Sequence, residues 1–320
     1  MVDIAYYAPD RNVAVTRTAR AVIIPDVGPR ILLPLCLLAL AAGPLASTLP
    51  VSIEVRARAV SPGEPVRIQV VSDEPLETVE GDFLGRTVHM VRVGHGADGR
   101  ELWSGWSMVD LDQEPGPVAV EVRGTSAGGR AIVGTRAVTV EPKSFPVENL
   151  SVAPKYVEPP PEVQERLARE RKKLAEIYRR RSPRLPATEP FVRPVDGEPT
   201  SAFGTKRLFN GQPRSPHSGL DLRAGLGTTV RASGAGRVAL AEDLYYSGKT
   251  VLLDHGGGLF TIYAHLSEIR VAEGTETEAG GLIGLSGATG RVTGPHLHWG
   301  AKVADRPFDP LALLDPSLFR

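Results

Sequence analysis

Five of the seven histidines fall in the last third of this 320-residue chain: His217, His255, His265, His296 and His298. Imidazoles gathered in this way, with carboxylates among them, are the side chains that hold divalent metals or move protons. In the run Pro216-His217-Ser-Gly-Leu-Asp221 a histidine precedes an aspartate by four positions. Gly219 disfavours a helix there, so a bend leading into a strand must bring the two side chains together. A second run, LFTIYAHL, has the texture of a strand and ends on Tyr263-Ala264-His265-Leu266, which predicts Tyr263 and His265 on one face. The third is His296-Leu297-His298-Trp299, after Thr293-Gly294-Pro295. On extended backbone both of its imidazoles face one side while Leu297 faces a core, so one can hold metal while the other faces a substrate. Catalytic zinc sites use three protein ligands and keep a fourth position for water, and two imidazoles with one carboxylate suit that ion. His217, Asp221 and His298 can supply such a set.

The rest of the chain must position these residues. Hydrophobic residues make up 42% and charged residues 23%, the balance of a folded chain. With 34 glycines, 28 prolines and only 6% aromatics, it suits short strands joined by turns, and the expected fold class is mainly β. The formal net charge of +0 gives no overall field that would attract nucleic acid, so none is expected as a partner. The single cysteine, Cys36, lies in an apolar run, which leaves histidine and carboxylate to hold any metal.

Four segments follow from the texture. Residues 1–49 form an N-terminal extension in which Arg30 precedes ILLPLCLLALAA (Ile31 to Ala42), the pattern of an export signal. Its distance from Met1 predicts a true start further downstream. The protein is therefore expected in the periplasm or cell envelope, and because the apolar stretch runs on to Leu49, retention as a membrane anchor is the alternative. Residues 50–143 alternate β-branched and polar positions between turns, as in PVRIQVVS and PVAVEVRG, and predict an immunoglobulin-like antiparallel sandwich. His89 and His95 lie in it without a companion ligand and are assigned no chemistry. Residues 144–190 are a proline-rich linker with an amphipathic basic helix from Glu162 to Arg181, its thin apolar stripe made by Val163, Leu167, Leu174, Ile177 and Tyr178. It is read as a connector docked on one domain, with contact to an anionic polymer or membrane surface as the alternative. Residues 191–320 are glycine-dense short strands, the second globular domain.

The stretches SAFG, SPHSGLDL, GTTVRASGAGRV, SGKTVLLDHGGGLFTIYAHL and GLIGLSGATGRVTGPHLHWG, from Ser201 to Val303, closely resemble the catalytic domain of peptidase family M23, the LytM or lysostaphin-like peptidoglycan endopeptidases. The resemblance covers about a third of the chain; the sandwich and helix match accessory parts of exported members more loosely. It implies an antiparallel β peptidase domain holding one zinc ion through His217, Asp221 and His298. It makes His296 and His265 the catalytic histidines, and peptidoglycan the partner and substrate. His255, in DHGGGL, matches no catalytic position and reads as a turn residue, as does Asp309 before Pro310.

No helical HExxH supplies a glutamate base, so a histidine must serve. The expectation is that His296 takes the proton from the attacking water while His265 steadies the oxyanion, with Tyr263 as a further oxyanion contact. Lys206 and Arg207 are read either as partners for substrate carboxylates or as a solvated loop. Two other classes share these features. One is a non-catalytic wall-binding activator of other hydrolases, which stoichiometric zinc would argue against. The other is a two-histidine, one-carboxylate iron oxygenase, whose tighter His-x-Asp spacing this sequence does not offer.

Overall fold

The computed structural model describes residues 51–319 apart from 97, 151–159, 181, 183 and 210. The export signal with Cys36, and the linker residues Pro154 and Pro159, lie outside the described residues. No helix among the described residues is long and apolar enough to cross a membrane.

Alternating patterns between Ser52 and Val140 fold as eight strands. They are β1 (Ser52–Arg56), β2 (Pro65–Ser72), β3 (Leu76–Phe83), β4 (Arg86–His89), β5 (Val91–His95), β6 (Glu101–Met108), β7 (Gly116–Ser126) and β8 (Ala131–Val140). Two antiparallel sheets result, ordered β1-β2-β6-β5 and β4-β3-β7-β8. That is the order of an immunoglobulin-like sandwich with one strand added beside the third. Val66, Ile68 and Val70 from one sheet meet Phe83, Val120 and Val122 from the other in a fully buried core. His89 and His95 are exposed at the strand ends.

Beyond the sandwich, β9 (Val147–Leu150) does not run free. It pairs in parallel with β11 (Lys206–Phe209), which also pairs with β12 (Gln212–Arg214). A 3-10 turn at Pro161–Val163 then leads into helix α1 (Gln164–Arg179), starting close to where the sequence places it. Leu174, Ile177 and Tyr178 pack on Leu240, Leu244, Leu252, Phe260 and Ile262, and Tyr178 meets Phe260 edge-on at 5.3 Å. Lys173 pairs with Glu242 at 2.6 Å. The helix is thus a docked connector, its thin apolar stripe buried and its charges partly paired.

The second domain contains β10 (Pro199–Ser201), β13 (Gly219–Leu222), β14 (Thr229–Arg231), β15 (Gly236–Leu244), β16 (Gly248–Asp254), β17 (Leu259–Ile269), β18 (Glu276–Thr277), β19 (Leu282–Ser286), β20 (Leu297–Val303) and β21 (Arg306–Phe308). Its sheet runs β10-β13-β20-β17-β16-β15-β18, with β19 joining β14 to β17 and β21 on β20. Period-two alternation divides the two faces. Leu220, Leu222, Leu297 and Trp299 enter the main core, whereas Asp221 and His298, between them in sequence, face the other way. Lys302, on the face of His298, is buried with its ammonium 4.8 Å from the centre of the Tyr178 ring. Helix α1 therefore covers one end of the face whose other end carries the histidines.

The two domains share packing. Trp106 and Met108 of β6 sit in one cluster with Phe191, Phe308, Leu313 and Leu318. Arg58 bridges Glu64 at 2.6 Å and Asp309 at 2.8 Å. Asp309 closes a turn, its side chain accepting from the Leu311 N–H, and also fastens the sandwich to the second domain.

Candidate metal centre

Asp221 and His298 are register partners on antiparallel β13 and β20, so their side chains leave the same face side by side. His217 precedes β13; its N–H donates to the Thr205 carbonyl and its carbonyl accepts from Gly204, which fixes the bend the sequence requires. The result is a tight triangle. His217 Nε2 lies 3.1 Å from Asp221 Oδ1 and 3.2 Å from His298 Nδ1, and Asp221 Oδ1 lies 2.9 Å from His298 Nδ1. All three residues are buried. Among the described residues this is the one group of three or more such side chains whose ligand atoms converge.

Gly219 explains part of the spacing. A Cβ there would stand 2.7 Å from both His298 Cε1 and Nε2, so only glycine leaves room for the imidazole that faces Asp221.

The ring nitrogens are sorted by their outer contacts. His217 Nδ1 is 3.0 Å from the Ala202 carbonyl. A carbonyl can only accept, so Nδ1 carries a proton and Nε2 is the nitrogen turned inward, the one that would give its lone pair to a metal. Burial would raise the Asp221 pKa, but hydrogen bonds from His217 and His298 hold the carboxyl well below the usual carboxylate range. Two imidazole nitrogens and a carboxylate oxygen 2.9–3.2 Å apart fit one tetrahedral ion with bonds near 2.0 Å, whose ligand atoms are about 3.3 Å apart.

Two further imidazoles flank the triangle. His296 Nε2 is 3.7 Å from Asp221 Oδ1, and its Nδ1–H donates to the Gly294 carbonyl at 2.9 Å. His265 lies 4.9 Å from His296 and 6.0 Å from His298 between ring centres, and its Nδ1–H donates to the Thr289 carbonyl at 3.0 Å. In the neutral form of either ring Nε2 is then the acceptor. Burial, with His298 and His296 beside it, pushes the His265 pKa down to about 3, so this ring is neutral.

Three expectations need correction. Simple alternation puts Tyr263 and His265 on one face, but His265 has a left-handed backbone, φ 62°, beside a register shift between β16 and β17. The bulge turns His265 onto the site face and leaves Tyr263 in the core. Tyr263 is fully buried there, its hydroxyl engaged by the Ser233 N–H at 2.7 Å, by Ser233 Oγ and by Thr261 at 3.0 Å, so it is no oxyanion contact. Nor can neutral His265 donate from Nε2 to an oxyanion, because its proton is on Nδ1. The third correction concerns Arg207, which is neither in a solvated loop nor placed for a substrate carboxylate. It is 1% exposed, and its Nη2 lies 3.6 Å from Asp221 Oδ2 and 3.0 Å from Ser201 Oγ. Lys206 is exposed.

His255 is a turn residue that points into the core rather than to the site. Its Nδ1–H donates to the Ala235 carbonyl at 2.8 Å, Nε2 is 2.7 Å from Thr261 Oγ1, and burial lowers its pKa to about 4.

Comparison with known proteins agrees with this geometry. The sequence profile of peptidase family M23 matches residues 215–310. A crystal structure of a candidate M23 peptidase from Pseudomonas aeruginosa is 33% identical, covers 80% of this chain and 95% of its own, and superposes with a TM-score of 0.60. The chain belongs to peptidase family M23. Among curated M23-type relatives, the peptidoglycan DD-endopeptidase ShyA of Vibrio cholerae is 42% identical over 121 residues, 37% of this chain. The DD-carboxypeptidase/endopeptidase Mpg of Neisseria meningitidis is 41% identical over 101 residues, 32% of this chain. The matches span only 28% and 23% of those relatives' lengths.

Proposed function

We propose that this M23 member is a zinc-dependent endopeptidase that hydrolyses peptide bonds in the stem or cross-link peptides of peptidoglycan. The observation that carries the reading is the convergence of His217 Nε2, Asp221 Oδ1 and His298 Nδ1 within 3.2 Å of one another, beside two imidazoles whose Nδ1–H groups donate to backbone carbonyls and leave Nε2 to accept. The names of the relatives ShyA and Mpg support the substrate class.

His217, Asp221 and His298 would hold one zinc ion, which would supply a Lewis acid and bring the pKa of a water towards 7. The chain's own residues do the rest. Asp221 stays ionised and offers a negative oxygen to the ion. His296 Nε2 accepts the proton of the attacking water as general base and returns it to the leaving amine, an exchange suited to imidazole near neutrality. Thr289 and Gly294 fix the two ring orientations through their carbonyls. His265 Nε2 accepts the water's other hydrogen and so aims its lone pair at the scissile carbonyl. Because this substrate lies outside the cytoplasm, the reading goes together with export directed by the run from Ile31 to Ala42.

Digestion of purified sacculi tests the proposal, with and without a chelator and with mass analysis of the released muropeptides. Cross-link cleavage that stops with chelator and returns with zinc is expected. Sacculi left intact by zinc-loaded protein would instead favour a non-catalytic wall-binding role.

A further inference from the structure

Arg207 and Glu148 are register partners on β11 and β9. Glu148 Oε2 lies 3.7 Å from Arg207 Nε, and the other end of the same guanidinium, Nη2, lies 3.6 Å from Asp221 Oδ2. That nitrogen also donates to Ser201 Oγ at 3.0 Å, and Ser201 Oγ is 3.3 Å from His217 Nδ1. One buried cation thus touches the outer oxygen of one ligand of the triangle and, through a hydroxyl, the outer nitrogen of a second.

Geometry and charge point the same way. Asp221 has two oxygens, and with Oδ2 drawn to Arg207, Oδ1 is turned towards His217 and His298. A lone guanidinium so close would also repel a divalent ion. Glu148 offsets that charge, so the row Glu148–Arg207–Asp221 keeps a net negative charge on the metal's side. Glu148 belongs to the strand that leaves the sandwich, which makes the interdomain connection part of the centre's support.

We infer that Arg207 is a positioning residue for the metal centre and that Glu148, from the linker strand, acts on the centre through it. The inference rests on the zinc reading of His217, Asp221 and His298.

Zinc affinity of the full chain, measured by competition with a chromophoric chelator, tests it alongside the melting temperature of chelator-treated protein. Arg207→Met is expected to weaken zinc binding by about 10- to 100-fold, the usual cost of losing an outer-shell partner. Arg207→Lys, which keeps the charge without the fork, should recover part of the loss. Glu148→Gln should weaken binding by less, and in the Arg207→Met background it should change nothing, since its route to the metal is gone. Equal zinc affinity in Arg207→Met and the parent protein overturns the inference, as does full additivity in the double variant. Should Arg207→Met fail to fold, Glu148→Gln carries the test, and unchanged affinity there overturns it. A parent protein that takes up no zinc overturns the underlying zinc reading as well, and is distinguished by that result.

Discussion

Gly219 stands against the imidazole of His298 so closely that a single added carbon would lie 2.7 Å from the ring. The glycine between His217 and Asp221 is therefore a packing requirement of His298, on a strand nearly eighty residues later. The same carbon would stand 2.7 Å from the Trp299 carbonyl, so Gly219→Ala should displace His298, weaken zinc binding at least about 10-fold and lower stability by about 1–3 kcal/mol. Metal titration together with circular dichroism separates those effects.

The ligands and the flanking imidazoles should behave differently. Asp221→Ala or His298→Ala is expected to remove metal and activity together. His296→Ala should keep the metal and lower turnover by about 100- to 10,000-fold, the range for a general base. Zinc content and turnover measured on the same preparations check this, and a fully active His296→Ala protein would rule out the assigned base.

Tyr263 offers the opposite case. Its hydroxyl serves Ser233 and Thr261 on the core side of β17. Tyr263→Phe should leave turnover within about two-fold and lower stability by about 1–3 kcal/mol, because buried donors lose their acceptor. Urea unfolding and turnover, measured side by side, distinguish this from an oxyanion role.

His255 predicts a slope of stability with pH. Its pKa is about 4 in the fold and about 6.5 in an unfolded chain. Between those values the unfolded state binds the extra proton, so stability is fully present above about pH 6.5 and falls as the pH drops towards 4, by up to about 3 kcal/mol. Denaturation of chelator-treated protein at pH 7.5 and 5 measures the slope, to which His265 contributes in the same direction, and His255→Asn should reduce it without abolishing it.

The sandwich and second domain should melt together, since Trp106 is buried among Phe191, Phe308 and Leu318. Trp106→Ala, at a cost of about 3–5 kcal/mol, should split the single calorimetric transition into two.

Much of this was legible in the residues because it follows from alternation. Leu297 and Trp299 facing the core put His296 and His298 on one side, and Leu220 and Leu222 do the same for Asp221. The sandwich was legible for the same reason. What alternation cannot show is where it is interrupted. The left-handed backbone at His265 separates it from Tyr263, and no residue type near it announces a bulge, because histidine there is strained rather than favoured. Arg207 was hidden differently. A basic residue next to Lys206 and three places after Gly204 reads as surface, and only the pairing of β11 with the distant linker strand buries it against Asp221. Parallel pairing across sixty residues leaves no local periodic mark.

Metal content settles the central claim most directly: the purified full chain and its Asp221→Ala variant, dialysed against buffer free of chelator and analysed by inductively coupled plasma mass spectrometry. One zinc per parent chain and none in the variant is the predicted result. A folded parent chain that cannot be loaded with zinc, or a variant that retains it in full, would contradict the account.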